Sequence, residues 1–195
     1  KKKQIYYQEN NMANLEKSLE LLVQVEHSGK KEKLLHKNEG ENGLTFFGIY
    51  QSANPEWKGW DIINRYLANE PDLKKCSVIL SNVTDLKKLV IQLYKYKYWD
   101  KAMLDLVESQ KIANEIFIFG VNVGMKVAIK KAQELVGVEA DGIVGKKTIN
   151  ALNNYNEIMF DIKFDDKEKE YYDILVKKPN LTKYKQGWYN RAEYV

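Results

Sequence analysis

The chain is poor in the residues that build staples and metal centres. It has one cysteine, Cys76, in 195 residues, which excludes an intramolecular disulfide framework and any cysteine-rich metal site. Two histidines, His27 and His36, argue against a metal enzyme built on imidazole ligands. No apolar run approaches the roughly 18 residues of a membrane span. There are only three prolines, and no stretch rich in Pro, Gly or Ser marks a flexible linker. Any two modules are therefore expected to pack closely. No internal repeat is present either.

What the chain does contain is ordinary for a soluble globular protein, with 44% hydrophobic and 30% charged residues. Its length allows one substantial core or two small modules. The net charge is +4 and the sequence pI about 8.8. Apart from Lys1, Lys2 and Lys3 the lysines are scattered, which reads as a solvated surface. The same excess would favour an anionic wall polymer, nucleic acid or an acidic membrane surface. No nucleic-acid-binding motif accompanies it. The chain starts at Lys1 rather than methionine, which is compatible with a trimmed leader or anchor.

Helical spacing dominates the pattern. Met12, Leu15, Leu19, Leu22 and Val23 recur at three- and four-residue steps, predicting a helix over 12–27 that stops at Ser28-Gly29. Residues 28–50 change character: Gly29, Gly40, Gly43 and Gly48 punctuate a loop, and Leu44 to Tyr50 has the content of a short strand or hairpin. A turn is expected over Asn54 to Trp60, with a helix over Asp61 to Leu67. Residues 84–107 carry apolar side chains at helical spacing, interrupted by Tyr94, Tyr96, Tyr98 and Trp99. One long stripe runs through 110–136 on Ala113, Phe117, Val121, Met125, Ala128, Ala132 and Leu135, and it reads as core packing. A glycine-rich turn follows over 137–145. A helix restarts at Thr148 to Asn153, a charged amphipathic helix covers 157–176, and the tail from Lys177 is expected to be irregular.

Glu26 stands out because it continues the apolar stripe of the first helix. Partial burial there would keep such an acid protonated near neutral pH, and the negative end of the helix dipole would act in the same direction. The glycine-punctuated segment after it presents Glu39, Glu41 and Thr45. A loop of that length can return a second carboxylate to face the first across a cleft. Two carboxylates in unlike environments are what glycosidic bond cleavage requires. Glu26 is the expected acid, Glu41 the expected base or electrostatic stabiliser, with Glu39 as its competitor, and Thr45 would position water or carboxylate. The structural alternative is a helix-end acid and exposed loop acids.

The residues Glu26-His27-Ser28-Gly29, followed by Glu41-Asn42-Gly43-Leu44-Thr45-Phe46-Phe47-Gly48-Ile49-Tyr50, resemble glycoside hydrolase family 108, the N-acetylmuramidases of phage endolysins and their bacterial relatives. In that family a helix ends in Glu-Gly-Gly, a loop bears Asp, and Gly-Gly-x-Thr-x-x-Gly-Ile follows. His27 and Ser28 depart from the usual glycines, the loop before Thr45 is a few residues longer, and Glu41 stands where aspartate is usual. The second half is similar to the peptidoglycan-binding region that accompanies the family. Phe117 to Gly124 follows its Phe-Asp and Val-Asn-x-Gly pattern, with Ile118 in place of the aspartate. Asp141-Gly142-Ile143-Val144-Gly145-Lys146-Lys147-Thr148 is close to its Asp-Gly-x-x-Gly-x-x-Thr turn, and Gly187-Trp188-Tyr189-Asn190-Arg191 to its closing Gly-Trp-x-x-Arg.

The resemblance implies a mainly α, lysozyme-like α+β fold with a small β-hairpin element near the N-terminal third and a helical C-terminal half. It implies a catalytic part over 1–108 and a peptidoglycan-binding-like part over 109–195. It further implies a monomeric muramidase acting on peptidoglycan glycan strands in the periplasm or cell wall, exported or released during phage lysis, with no cofactor or metal. Tyr50, Asn122, Tyr98 and Trp99 are the expected substrate-binding residues, and Trp57 and Trp60 are further candidates for stacking on sugars. Asp141 and Thr148 are expected to tie a turn between helices, with Gly142 and Gly145 supplying unusual backbone angles. A wall-binding module without catalysis is the alternative within the same resemblance. A basic nucleic-acid binder is the alternative outside it.

Overall fold

Leu15, Ser18, Leu19 and Leu22 are buried at three- and four-residue spacing, and they form the inward face of the first helix, α1 (Leu15–His27). The computed structural model of the chain describes residues 12–38, 42–177 and 181–195. Two compact units divide the chain: residues 19–97, and residues 98–195 together with the segment up to Ser18. The molecule is mainly helical with one small sheet near its N-terminal third.

In the unit of residues 19–97, the end of α1 leads into a three-stranded antiparallel sheet, β1 (Leu35–His36), β2 (Thr45–Phe46) and β3 (Ile49–Tyr50). The hairpin read over 44–50 is there, in the register Thr45 opposite Tyr50 and Phe46 opposite Ile49. Its two turn residues, Phe47 and Gly48, both have positive φ, 54° and 74°, as a tight turn matched to the strand twist demands. Strand β1 was not expected from sequence. It is held by α3 (Leu73–Leu80), where the buried Ser77 hydroxyl accepts from Leu35 N–H at 2.9 Å and donates to the Lys31 carbonyl. The remaining α-helices among the described residues of this unit are α2 (Gly59–Leu67) and α4 (Thr84–Tyr94). Phe46, Ile49, Trp60, Ile63, Leu80, Leu86 and Tyr94 make its core, and the Tyr94 hydroxyl donates to the Phe47 carbonyl at 2.8 Å.

The other unit is built on α5 (Gln110–Val123), α6 (Met125–Val136), α7 (Lys146–Asn153), α8 (Glu157–Leu175) and α9 (Lys185–Ala192). Ser109 caps α5 by accepting from Ile112 N–H, and Asn156 caps α8 by accepting from Met159 N–H, each satisfying an otherwise orphaned donor. Trp99, Phe117, Phe119, Phe160, Phe164 and Tyr172 are fully buried. Phe160 and Phe164 stack with centroids 5.1 Å apart, and Phe119 meets Phe164 edge-on.

Two expectations need correction here. The stripe through 110–136 is split into two helices at Gly124, whose φ of 97° and ψ of 136° no α-helix contains. The tail is not irregular: α9 forms because Trp188 stacks on Tyr172, with centroids 5.1 Å apart, and on Tyr184. No helix among the described residues is long and apolar enough to cross a membrane.

Candidate active site

Glu26 sits in the last turn of α1, on the side that carries Leu15, Leu19 and Leu22, but it is exposed. The partial burial expected for it is therefore not provided. The helix face continues past its last buried leucine, so the stripe's geometry persists where the core does not. Beyond Glu26 the helix closes as a Schellman motif: Gly29 N–H donates to the Val23 carbonyl and Ser28 N–H to the Gln24 carbonyl. Ser28 (φ 52°) and Gly29 (φ 68°) are both left-handed. Serine at the first of these positions carries a side chain where glycine is at ease.

His27 joins this helix end to the sheet. Its ring meets that of His36 edge-on, with centroids 5.9 Å apart, and His36 lies directly opposite Thr45 in the β1–β2 register. His36 Nδ1–H donates to the Lys33 carbonyl at 2.9 Å. Burial, then the neighbouring charges of His36 and Lys33, push the His27 imidazole below its usual range, so it is neutral at pH 7. Thr45 is 2% exposed and Tyr50, opposite it, is exposed. Glu26, His27, His36, Thr45 and Tyr50 thus follow one another across a helix end and three strands. Sequence spacing sets the two histidines aside as too few for a metal site; their position between Glu26 and Thr45 is the available signal. Glu39 and Glu41 lie outside the described residues.

The aromatic candidates separate by environment. Trp99 is fully buried, its indole N–H donates to Asp105 at 2.7 Å, and it packs edge-on against Phe117. A ring enclosed in this way offers no face to a sugar. Tyr98 is half-buried and also meets Phe117 edge-on. Trp60 is buried and donates to the Asn54 carbonyl at 2.8 Å, with Trp57 against it edge-on. Asn122 is an exposed residue whose amide donates to the Tyr172 hydroxyl at 2.7 Å.

The Asp-Gly-x-x-Gly-x-x-Thr segment is a knot around one buried side chain, Gln133. Its amide nitrogen donates to Asp141 at 2.9 Å, the Ile143 carbonyl at 3.0 Å and the Thr148 hydroxyl at 3.3 Å, while its oxygen accepts from Gly142 N–H at 2.8 Å. Ile143 N–H and the Gln133 amide hold the Asp141 carboxyl below its usual range. Gly142 has φ 78°, as expected. Gly145 does not need its glycine for backbone reasons, since its φ is −136° and a Cβ there would meet nothing within 4 Å.

Three further features were not anticipated. An open groove of about 620 Å³ lies in the unit containing α5–α9, lined by polar groups such as Lys17, Ser109, Gln110, Asn153 and Glu157, and by none of the expected site residues. Glu115, midway along α5, is 0% exposed. Asp161 and Asp165 of α8 bring carboxylate oxygens to within 4.8 Å of it and of each other, the one group among the described residues with donors placed to hold a cation.

A family model described as "Glycosyl hydrolase 108" matches residues 26–124, and one described as "Predicted Peptidoglycan domain" matches residues 127–193. The first match opens at Glu26. The solved structure of SagA from Brucella abortus is similar in fold, with 20% identity over 92% of this chain and 91% of that one, at a TM-score of 0.60. No curated protein matches.

Proposed function

This chain belongs to the glycosyl hydrolase 108 family, and on that premise we propose that it is an N-acetylmuramidase. It cleaves the β-1,4 bond between N-acetylmuramic acid and N-acetylglucosamine in peptidoglycan, acting as a lysozyme-like monomer in the periplasm or cell wall. The observation that carries this reading is the opening of the hydrolase match at Glu26, whose helix end is joined through His27 and His36 to the strand bearing Thr45. The peptidoglycan-domain match over 127–193 supports the same substrate.

In this reading Glu26 donates its proton to the glycosidic oxygen as the C–O bond breaks. The second carboxylate, Glu41, or Glu39 in its place, is ionised and either activates water or stabilises the oxocarbenium-like centre. Thr45 positions that water or carboxylate. Glu26 is exposed in the free chain, so a glycan seated over the helix end supplies the desolvation that an acid catalyst uses. Tyr50 and Tyr98 offer rings for sugar stacking, and Asn122 an amide for an acetamido group.

Reducing-sugar release from purified peptidoglycan tests the proposal, with Glu41→Gln and Glu39→Gln compared side by side. Loss in one variant alone identifies the second carboxylate. The exposure of Glu26 and the Ser28 departure favour one second reading, a wall-binding protein without catalysis. Binding of peptidoglycan with no reducing ends released would establish that reading and sink the first.

A further inference from the structure

Glu115 interrupts the most apolar segment of the chain, lying among the buried Ile112, Ala113, Ile116, Phe117, Ile118 and Phe119. Both of its carboxylate oxygens are buried and neither meets a hydrogen-bond donor of acceptable geometry. A buried carboxylate left this way costs several kcal/mol unless something of opposite charge, or a proton, satisfies it. What faces it is more negative charge: Asp161 and Asp165, one turn apart on α8, place oxygens within 4.8 Å of the Glu115 oxygen and of each other. One Asp165 oxygen is likewise buried and unpaired.

We propose that Glu115, Asp161 and Asp165 form a calcium site that ties α5 to α8. The donors are all carboxylate oxygens, which suits a hard cation and excludes soft metals. Calcium bonds oxygen at about 2.3–2.6 Å, so ligands on opposite sides of one ion lie up to about 5 Å apart. Magnesium, at about 2.0–2.1 Å, spans less. Glu115 falls in the segment matched by the hydrolase model and the two aspartates in the segment matched by the peptidoglycan model. The ion would therefore join the two matched regions within one packed unit, a role independent of whether Glu26 is catalytic.

Without a cation the cluster holds protons instead. Burial first, then the charge of Glu168, a hydrogen bond shared with the Asp161 carboxyl and the charges of Asp165 and Asp161, push the Glu115 carboxyl well above the usual carboxylate range. Burial, then Asp161, raise Asp165 to about 6. One cation already competes at the rim, where Lys111 pairs with Asp161 at 3.1 Å.

Isothermal titration of the full, chelator-treated chain with calcium chloride at pH 7 tests the site, together with thermal unfolding in calcium and in chelator. We expect one saturable site below about 1 mM, the weak end for calcium modules, and a thermal midpoint raised by calcium. Glu115→Gln should bind at least tenfold more weakly and lose the calcium-dependent rise, while Lys111→Ala should bind more tightly. Should Glu115→Gln fail to fold, Asp165→Asn carries the same expectation. Absence of saturable binding to the wild type, or equal binding by the folded Glu115→Gln or Asp165→Asn variant, overturns the proposal.

Discussion

The carboxylate at the end of α1 and those between α5 and α8 occupy opposite environments. Glu26 belongs to a helix face that runs past its core, next to a left-handed serine and a small hairpin, and it is open to solvent. Glu115 belongs to the buried face of α5, and its oxygens meet other carboxylates. An exposed acid costs little in stability and is available to a substrate. A buried acid costs stability and must be answered by a proton or a cation. On the two proposals made above, the same residue type would serve a surface reaction in one region and set ionic conditions for packing in the other.

The largest expected effect lies on the exposed side. Glu26→Gln should lower wall hydrolysis by about 10²–10⁴-fold, the usual weight of a general acid, and leave the thermal midpoint within about 1 °C. A large fall in midpoint would break the comparison, because it would make Glu26 structural. On the enclosed side, Gln133→Leu should cost about 2–4 kcal/mol by leaving Gly142 N–H and its other partners unsatisfied. Denaturant unfolding measures it, and an unchanged midpoint would show that the knot is not a stability element.

The third effect is pH-dependent. The folded-state values of Glu115, Glu168 and Asp165 are raised, so between about pH 4 and 7 the folded chain binds more protons than the unfolded one. Their contribution is full below the unfolded values near pH 4 and is lost as pH rises through the folded ones. Lys111, Lys169 and Arg191 oppose this loss, and Asp166 and Glu193 add to it. In chelator, the midpoint of Glu115→Gln relative to wild type should therefore climb by several degrees from pH 4 to 7. Calorimetry at both pH values checks this, and a constant difference would mean Glu115 does not titrate in that window. The smallest effect is Ser28→Gly, expected to gain up to about 1 kcal/mol by relieving a left-handed serine, or about 2 °C in midpoint.

Much of this architecture was legible in local pattern. The α1 stripe, its stop at Ser28-Gly29, and the hairpin around Phe47-Gly48 follow from spacing and turn chemistry alone. The break at Gly124 was not legible, because apolar residues keep helical spacing on both sides of it. Nor was α9, whose order comes from Trp188 stacking on a tyrosine of another helix. For the site, sequence marked Glu26 and Thr45 but overstated the burial of Glu26, since spacing reports a face and not what covers it. Trp99 was grouped with sugar-stacking aromatics although it is core. The acidic cluster was missed because its members are distant in sequence, yet a glutamate flanked by Ile112, Ala113, Ile116 and Phe117 was a visible sign.

The most direct test of the muramidase assignment is mass spectrometry of purified peptidoglycan digested by the wild-type chain and by Glu26→Gln. The account predicts wild-type fragments ending in reducing N-acetylmuramic acid, and none above background from the variant. Anhydromuramic ends, free stem peptides, or an undiminished digest from Glu26→Gln would contradict it.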